Sequence, residues 1–293
     1  MKSSIRSFYL VLAMFTFQLS AEVDVTYSVE HHPIFEKFPN VGPQGFDEEY
    51  FEWIDLLEAV FDAKGSFNMV EVGAGYGRWA ARGGVAARFC GLPFHLTLVE
   101  AEPYRSQIEI HEEMKRFGIH SYEYKVVPAA VGKIESSIFF YITSNDGSWD
   151  LNNWFGQCIM VPSDYIVRWT NETHLGQPVA ITAYNYKAVE VKQLRLSTIL
   201  TQIDSPIIDL CDFDVQGNEF DVISESIDIL NARVKRMHIG THGLEIEQQL
   251  RVLLKKNGWR LIRDYSLART NQTEYGPIEF CDGVQSWINL RLN

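Results

Sequence analysis

Along the chain, short apolar runs of strand length alternate with stretches whose apolar residues recur at helical spacing. Residues 67–72, 96–99, 122–127, 207–210 and 234–239 read as strands. The segments between them read as helices. After Asp47, which can cap a helix, Tyr50, Trp53, Ile54, Leu57, Val60 and Phe61 fall on one face, and Gly65 follows the end. Residues 76–88 form a small-residue helix, Pro103 opens one that runs to Phe117 and stops at Gly118, and 218–230 is another. Residues 245–256 turn Ile246, Leu250, Leu253 and Leu254 inward. Such alternation predicts a mainly parallel sheet covered by helices on both faces. The last two runs, 260–265 and 285–290, have no helix between them and predict an antiparallel C-terminal hairpin at the sheet edge.

The alternation weakens between 138 and 196, a stretch rich in aromatic residues, Asn and Gly. It reads as an insertion over the mouth of a site, with Trp149, Trp154 and Tyr186 available to stack on a sugar face or to pack a lid. The expected organisation is a leader at 1–21, an irregular lead-in at 22–46 and one domain at 47–293. In the leader, Lys2 and Arg6 precede an apolar run from Phe8 to Phe17, then Ser20 and Ala21. That is the layout of a signal peptide; a short anchor tethering the chain to a membrane, or an apolar helix packed on the domain, would share it. The sequons at Asn171 and Asn271 fit a secretory route.

The chain has 293 residues and a formal charge of −12, with no cluster of Lys and Arg to track a phosphate backbone, so nucleic acid is not the expected partner. Cys90, Cys158, Cys211 and Cys281 lie far apart without metal-ligand spacing and read as core thiols, although a Cys158–Cys281 disulfide stays open.

The motif richest in chemistry is Val70-Glu71-Val72-Gly73-Ala74-Gly75-Tyr76-Gly77, where a strand hands over to a helix. Glycines there allow a sharp turn and a close approach to a ligand. A dinucleotide site wants G-x-G-x-x-G; the spacing here is G-x-G-x-G, with Glu71 two residues before the first glycine. This suits a cofactor without pyrophosphate but with an amino-acid tail, held by Glu71, Gly73, Ala74, Gly75 and Gly77. Glu100, or Glu102 as the fallback, ends the second strand where a carboxylate can accept from a ribose diol. Ala130, in the small-residue stretch after the third strand, could admit an adenine ring or simply pack.

These pieces resemble the FkbM-type methyltransferases. The resemblance is carried by the glycine loop, Glu100-Ala101-Glu102-Pro103, Pro128-Ala129-Ala130-Val131-Gly132 and Asp212-Phe213-Asp214-Val215-Gln216-Gly217-Asn218-Glu219, with Gln216 where the family commonly has Glu. His238-Ile239-Gly240-Thr241-His242, Asn257-Gly258-Trp259 and Asp282-Gly283-Val284-Gln285-Ser286-Trp287 extend it over about residues 47–290. It implies a class I, Rossmann-like, seven-stranded α/β fold, S-adenosylmethionine as donor, and O-methylation of a sugar or other small-molecule hydroxyl. Because that donor is made in the cytosol, a cleaved leader would require a lumen supplied by a transporter.

Methyl transfer is a positioning problem, and a hydroxyl acceptor also needs a base. His242 is the expected base, as an imidazole largely neutral near pH 7, or it only orders its loop. Asp214 is a second base, an orienting group or a helix cap. Asp212 stands beside it at the same strand end, and Glu219 suits a helix start. No metal is assigned, although Asp212, Asp214 and His242 have donors that Mg²⁺ accepts. Two other functions remain open: an NAD-type oxidoreductase, disfavoured by the glycine spacing, and a non-catalytic binding module of the same fold.

Overall fold

The computed structural model describes residues 32–43, 46–142, 159–160, 166–183 and 186–292. The leader, Cys158, Trp149 and Trp154 lie outside the described residues, so the expectations placed on them stand as they were.

In chain order, α1 (Ile34–Lys37) and α2 (Glu49–Asp62) precede β1 (Phe67–Val72), α3 (Arg78–Phe89) and β2 (Phe94–Glu100). A π-helical turn (Arg105–Glu109) runs into α4 (Ile110–Arg116), followed by β3 (Tyr124–Pro128). Next come β4 (Ala130–Val131), β5 (Ser136–Tyr141), β6 (Ile159–Met160), β7 (Ile166–His174), β8 (Gln177–Thr182) and β9 (Lys187–Leu194). The chain then continues through α5 (Leu196–Thr201), β10 (Ile208–Phe213), α6 (Glu219–Glu225), α7 (Ile227–Arg233), β11 (Val234–Thr241) and α8 (Leu244–Lys256). It ends with β12 (Trp259–Tyr265), β13 (Arg269–Thr273), β14 (Gly276–Phe280) and β15 (Gly283–Asn289).

Seven strands form the central sheet in the order β12-β15-β11-β10-β1-β2-β3. Five of them, β3, β2, β1, β10 and β11, run parallel, and β15 is antiparallel to both of its neighbours. The fold is therefore the expected α/β sheet, and its last two strands, β12 and β15, pair antiparallel at the edge as expected. β15 inserts between β12 and β11, and the segment that leads into it forms a separate hairpin, β13–β14. Burial explains the order. All but one residue of β15 are buried, as an inner strand requires, whereas β12 alternates buried and more open positions as an edge strand does.

One apolar cluster joins α2, α3 and α4 to one face of the sheet; another joins α5 to α8 to the opposite face. The small residues of α3 let it lie close. A Cβ on Gly83 would come within 3.1–3.2 Å of Met69, Leu56 and Phe67. That proximity seats the middle of α3 on the first half of β1 and on α2. Asp47 does not cap α2. Glu48 is already helical, and its carboxylate instead accepts the Cys281 and Asp282 amides at 2.6 and 3.1 Å, tying the start of α2 to the loop before β15. The single helix expected at 218–230 breaks at Ser226 into α6 and α7.

The expected insertion supplies most of a second sheet, β6-β5-β9-β8-β7, with β4 pairing β9. His174, the last residue of β7, brings its Nε2 to 2.7 Å from Glu102 Oε1, just beyond β2. Tyr186 stacks on Tyr141, not on an open face. Cys90 and Cys281 are exposed, so only Cys211 among the described cysteines is a core thiol.

Candidate functional site

The sheet order reverses between β1 and β10, which places the crevice beyond their C-terminal ends. Register puts Glu71, Asp212, His238 and Ser286 opposite one another on β1, β10, β11 and β15, a polar row across four adjacent strands. The face this row points toward is covered by α2, which contributes Glu52 and Asp55. Buried ionisable groups of this kind need partners. Glu71 takes the Trp79 and Ala80 amides at 3.3 and 2.9 Å and so caps the first turn of α3. Burial and the neighbouring Asp212 hold its carboxyl well above the usual range. Asp55 is fully buried and binds Arg263 Nη1 and His238 Nδ1, each at 2.8 Å, together with the Ser286 hydroxyl. Burial pushes its carboxyl up, but Arg263, His238 and Arg236 outweigh that and hold it below the ordinary value.

The glycine loop is left-handed at Gly73, Gly75 and Gly77, with φ of 85°, 54° and 84°. Gly73 and Ala74 donate to the Val99 carbonyl at 2.9 and 3.0 Å, and the Asp214 amide donates to the Val72 carbonyl at 2.9 Å. A Cβ at Gly73 would lie 1.8 Å from the Asp214 carbonyl oxygen, so glycine is needed there to let the β1 loop pass the end of β10. Glu100 accepts from the Gly75 amide and from the Glu102 amide, both at 2.7 Å, and burial raises its carboxyl to about 7. Glu102 is occupied by the Arg105 amide and His174, and Ala130 is buried in β4.

A cavity opens at the crevice and brings Glu71, Gly73 and Ala74 together with Asp212, Asp214 and His242. Gly75, Gly77, Glu100, Glu102 and Ala130 do not line it; they form the adjoining loop and the end of β2. His242 Nδ1 lies 2.7 Å from Glu219 Oε1, and its Nε2 lies 3.4 Å from Asp214 and 3.5 Å from Asp282. Although burial alone would lower it, the bond to Glu219 and the charges of Asp214, Glu219 and Asp282 raise its pKa to about 9. The expectation of a neutral imidazole near pH 7 is thus corrected: three carboxylates around one ring keep it protonated.

Asp214 is half exposed at the cavity, yet the surrounding walls of the crevice strip enough water from its carboxyl to raise it to about 6, against the pull of His242. It does not cap α6, whose N-cap is Asn218; its Oδ1 accepts from Gln216 Nε2 at 2.6 Å. Glu219 does more than suit a helix start, since it is fully buried and takes both His242 and the Gly217 amide. Asp212, Asp214 and His242 do not form one donor cluster: Asp212 faces Glu52 and His238.

Sequence reasoning assigned no role to Glu52, Asp55, His238 or Asp282. One signal was present, because Glu49, Glu52, Asp55 and Glu58 recur every third residue on a helix that is otherwise largely apolar. Successive acids at such spacing are neighbours on the helix surface, so the row winds slowly round it.

A mainly parallel seven-stranded sheet with a glycine turn after its first strand and acids at the switch point is the Rossmann-like architecture of methyltransferases. Residues 71–261 match the methyltransferase FkbM domain, and the chain belongs to that family. It is 28% identical over 237 residues to the "Putative methyltransferase" of Jannaschia sp. (strain CCS1), covering 80% of this chain and 77% of that one. Among solved structures it is similar to a methyltransferase FkbM from Methylobacillus flagellatus KT, with a TM-score of 0.45 and 10% identity over 87% of this chain and 58% of that one. It is also similar to a precorrin-6y C5,15-methyltransferase from Geobacter metallireducens GS-15, with a TM-score of 0.42 and 11% identity over 84% and 92% of the two chains.

Proposed function

We propose that this methyltransferase uses S-adenosylmethionine and methylates a hydroxyl oxygen of a glycan or other small molecule. The observation that carries the reading is the cavity that joins the glycine loop to Asp212, Asp214 and His242. Its wall is rich in carboxylates, and Arg78 is also part of it. Such a wall suits a ligand bearing an ammonium and a sulfonium, and it disfavours the doubly anionic pyrophosphate of NAD or the backbone of a nucleic acid.

When bound, S-adenosylmethionine supplies a methyl group on positively charged sulfur, open to in-line displacement. Glu71 and Asp212 would offer hydrogen-bond acceptors to its ammonium, Arg78 a partner for its carboxylate, and Glu100, at the adjoining end of β2, acceptors for its ribose hydroxyls. Asp214 takes the acceptor's hydroxyl proton, since it is ionised above about pH 6 while His242 is protonated up to about pH 9. His242, held by Glu219, acts as a positioning residue that keeps the Asp214 carboxylate turned to the cavity.

Calorimetry with S-adenosylmethionine against NAD tests the donor, and a screen of glycans and hydroxylated metabolites with isotopically labelled donor tests the acceptor. The expected results are saturable binding of the first ligand only and label on oxygen. Binding of NAD alone, or label on nitrogen, would refute the reading.

A further inference from the structure

We propose that Glu52, Asp212 and His238 bind one divalent first-row cation, Mn²⁺ or Zn²⁺, at the base of the cavity. One donor atom from each residue lies within 4.8 Å of the others, so a modest side-chain rotation brings all three to the ~2.0–2.2 Å at which such ions sit. The spacing is built into the fold. Asp212 and His238 are register partners on adjacent parallel strands, and Glu52 reaches them from α2. The Glu52 and Asp212 carboxyls face each other, so both already point at one spot.

A second observation is independent of the three donors. His238 Nδ1 is 2.8 Å from Asp55 Oδ2, and Asp55 is itself fixed by Arg263 at 2.8 Å and by the Ser286 hydroxyl. A carboxylate behind a histidine, holding one ring nitrogen so that the other presents its lone pair, is the usual support of a metal-ligating imidazole. Two carboxylates and one imidazole suit Mn²⁺ or Zn²⁺ better than Mg²⁺, which prefers oxygen and water alone. Three protein donors leave coordination positions open, and all three residues line the cavity, so water or an acceptor oxygen can complete the shell.

The site shares Asp212 and the cavity with the methyl-donor reading but does not rest on it, so its test uses no donor at first. The full chain, stripped with chelator, is titrated with MnCl₂ by electron paramagnetic resonance and with ZnCl₂ by calorimetry. One equivalent is expected to bind. Glu52→Gln and His238→Gln should each weaken binding at least tenfold, and Asp55→Asn about 10–100-fold, while His242→Gln changes it less than threefold. Glu52→Gln, on a half-open helix position, keeps the test decisive if a change at buried His238 disturbs folding. Absence of saturable binding, binding indifferent to Glu52→Gln, or binding lost through His242→Gln would overturn the proposal. Calorimetry of S-adenosylmethionine on the same variants separates the two readings: if no ion binds but donor affinity falls with Glu52→Gln and His238→Gln, the trio serves the donor's ammonium and the metal site is wrong.

Discussion

His238 Nδ1 and Asp55 Oδ2 meet at 2.8 Å although the residues are 183 positions apart in the chain. The contact joins α2 to β11 beneath the cavity and completes a buried network with Arg263 and Ser286. Removing one charge from such a network leaves the others without compensation. Asp55→Asn should therefore cost about 3–5 kcal/mol of folding stability, measured by urea denaturation. A change below 1 kcal/mol would show that the network is not what holds α2 on the sheet.

His242 should make stability depend on pH. Its folded pKa, about 9, lies above the ordinary 6.5, so the folded state favours the proton. The contribution is fully present below about pH 6.5 and fades as pH rises through about 9. It amounts to about 3–4 kcal/mol on the scale of 1.4 kcal/mol per pKa unit. Wild type should lose that much between pH 6 and pH 10 relative to His242→Gln, with the imidazole titration followed by NMR. Parallel pH profiles for the two proteins would contradict the three-carboxylate environment.

Gly73 and Gly77 should respond differently to alanine. Both have positive φ, but a Cβ at Gly73 meets the Asp214 backbone at 1.8 Å, whereas one at Gly77 meets the Leu98 side chain at 2.7 Å. Side chains can yield and the backbone of β10 cannot. Gly73→Ala should cost on the order of 3 kcal/mol or more and abolish donor binding, and Gly77→Ala distinctly less. Thermal melts and calorimetry of the two variants provide the check; equal losses would mean that the passage of the loop past β10 is not the constraint.

If Asp214 takes the acceptor proton, Asp214→Asn should lower kcat by roughly 10²–10⁴-fold with donor affinity nearly unchanged. Steady-state kinetics and calorimetry on one preparation decide this. A loss confined to donor affinity would make Asp214 a binding residue and return the question of the base to the rest of the cavity wall.

The two sequons are not equivalent in the folded chain. Asn171 is exposed on β7, while the Asn271 amide donates to the Ser266 and Arg269 carbonyls and accepts from the Ser266 amide. Expressed through a secretory route, the folded protein should carry glycan at Asn171 and little or none at Asn271. Mass spectrometry of the glycopeptides would show both sites occupied if the 266–271 turn forms only after modification.

Several features were legible from the chain alone because they are local. Apolar periodicity, Pro103, Gly118 and the spacing of Gly73, Gly75 and Gly77 act within a few residues of themselves, and they located the five parallel strands and the turn at the head of the crevice. Acids at strand ends also announced Glu100, Asp212 and Asp214. Periodicity says nothing, however, about which strand lies beside which, so the place of β15 inside the sheet and the β13–β14 hairpin were not readable.

The charge state of His242 and the partners of His238 were decided only in three dimensions. Ionisation depends on charges a few ångströms away, and here those charges arrive from elsewhere in the chain: Glu219, Asp214 and Asp282 at His242, Asp55 at His238, Glu52 at Asp212. The sequence determined that a strand-to-helix glycine turn and a row of acids exist. Sheet register and the seating of α2 determined which of those acids share a proton, hold a histidine or face the cavity, because electrostatic interaction follows distance in space and not separation along the chain.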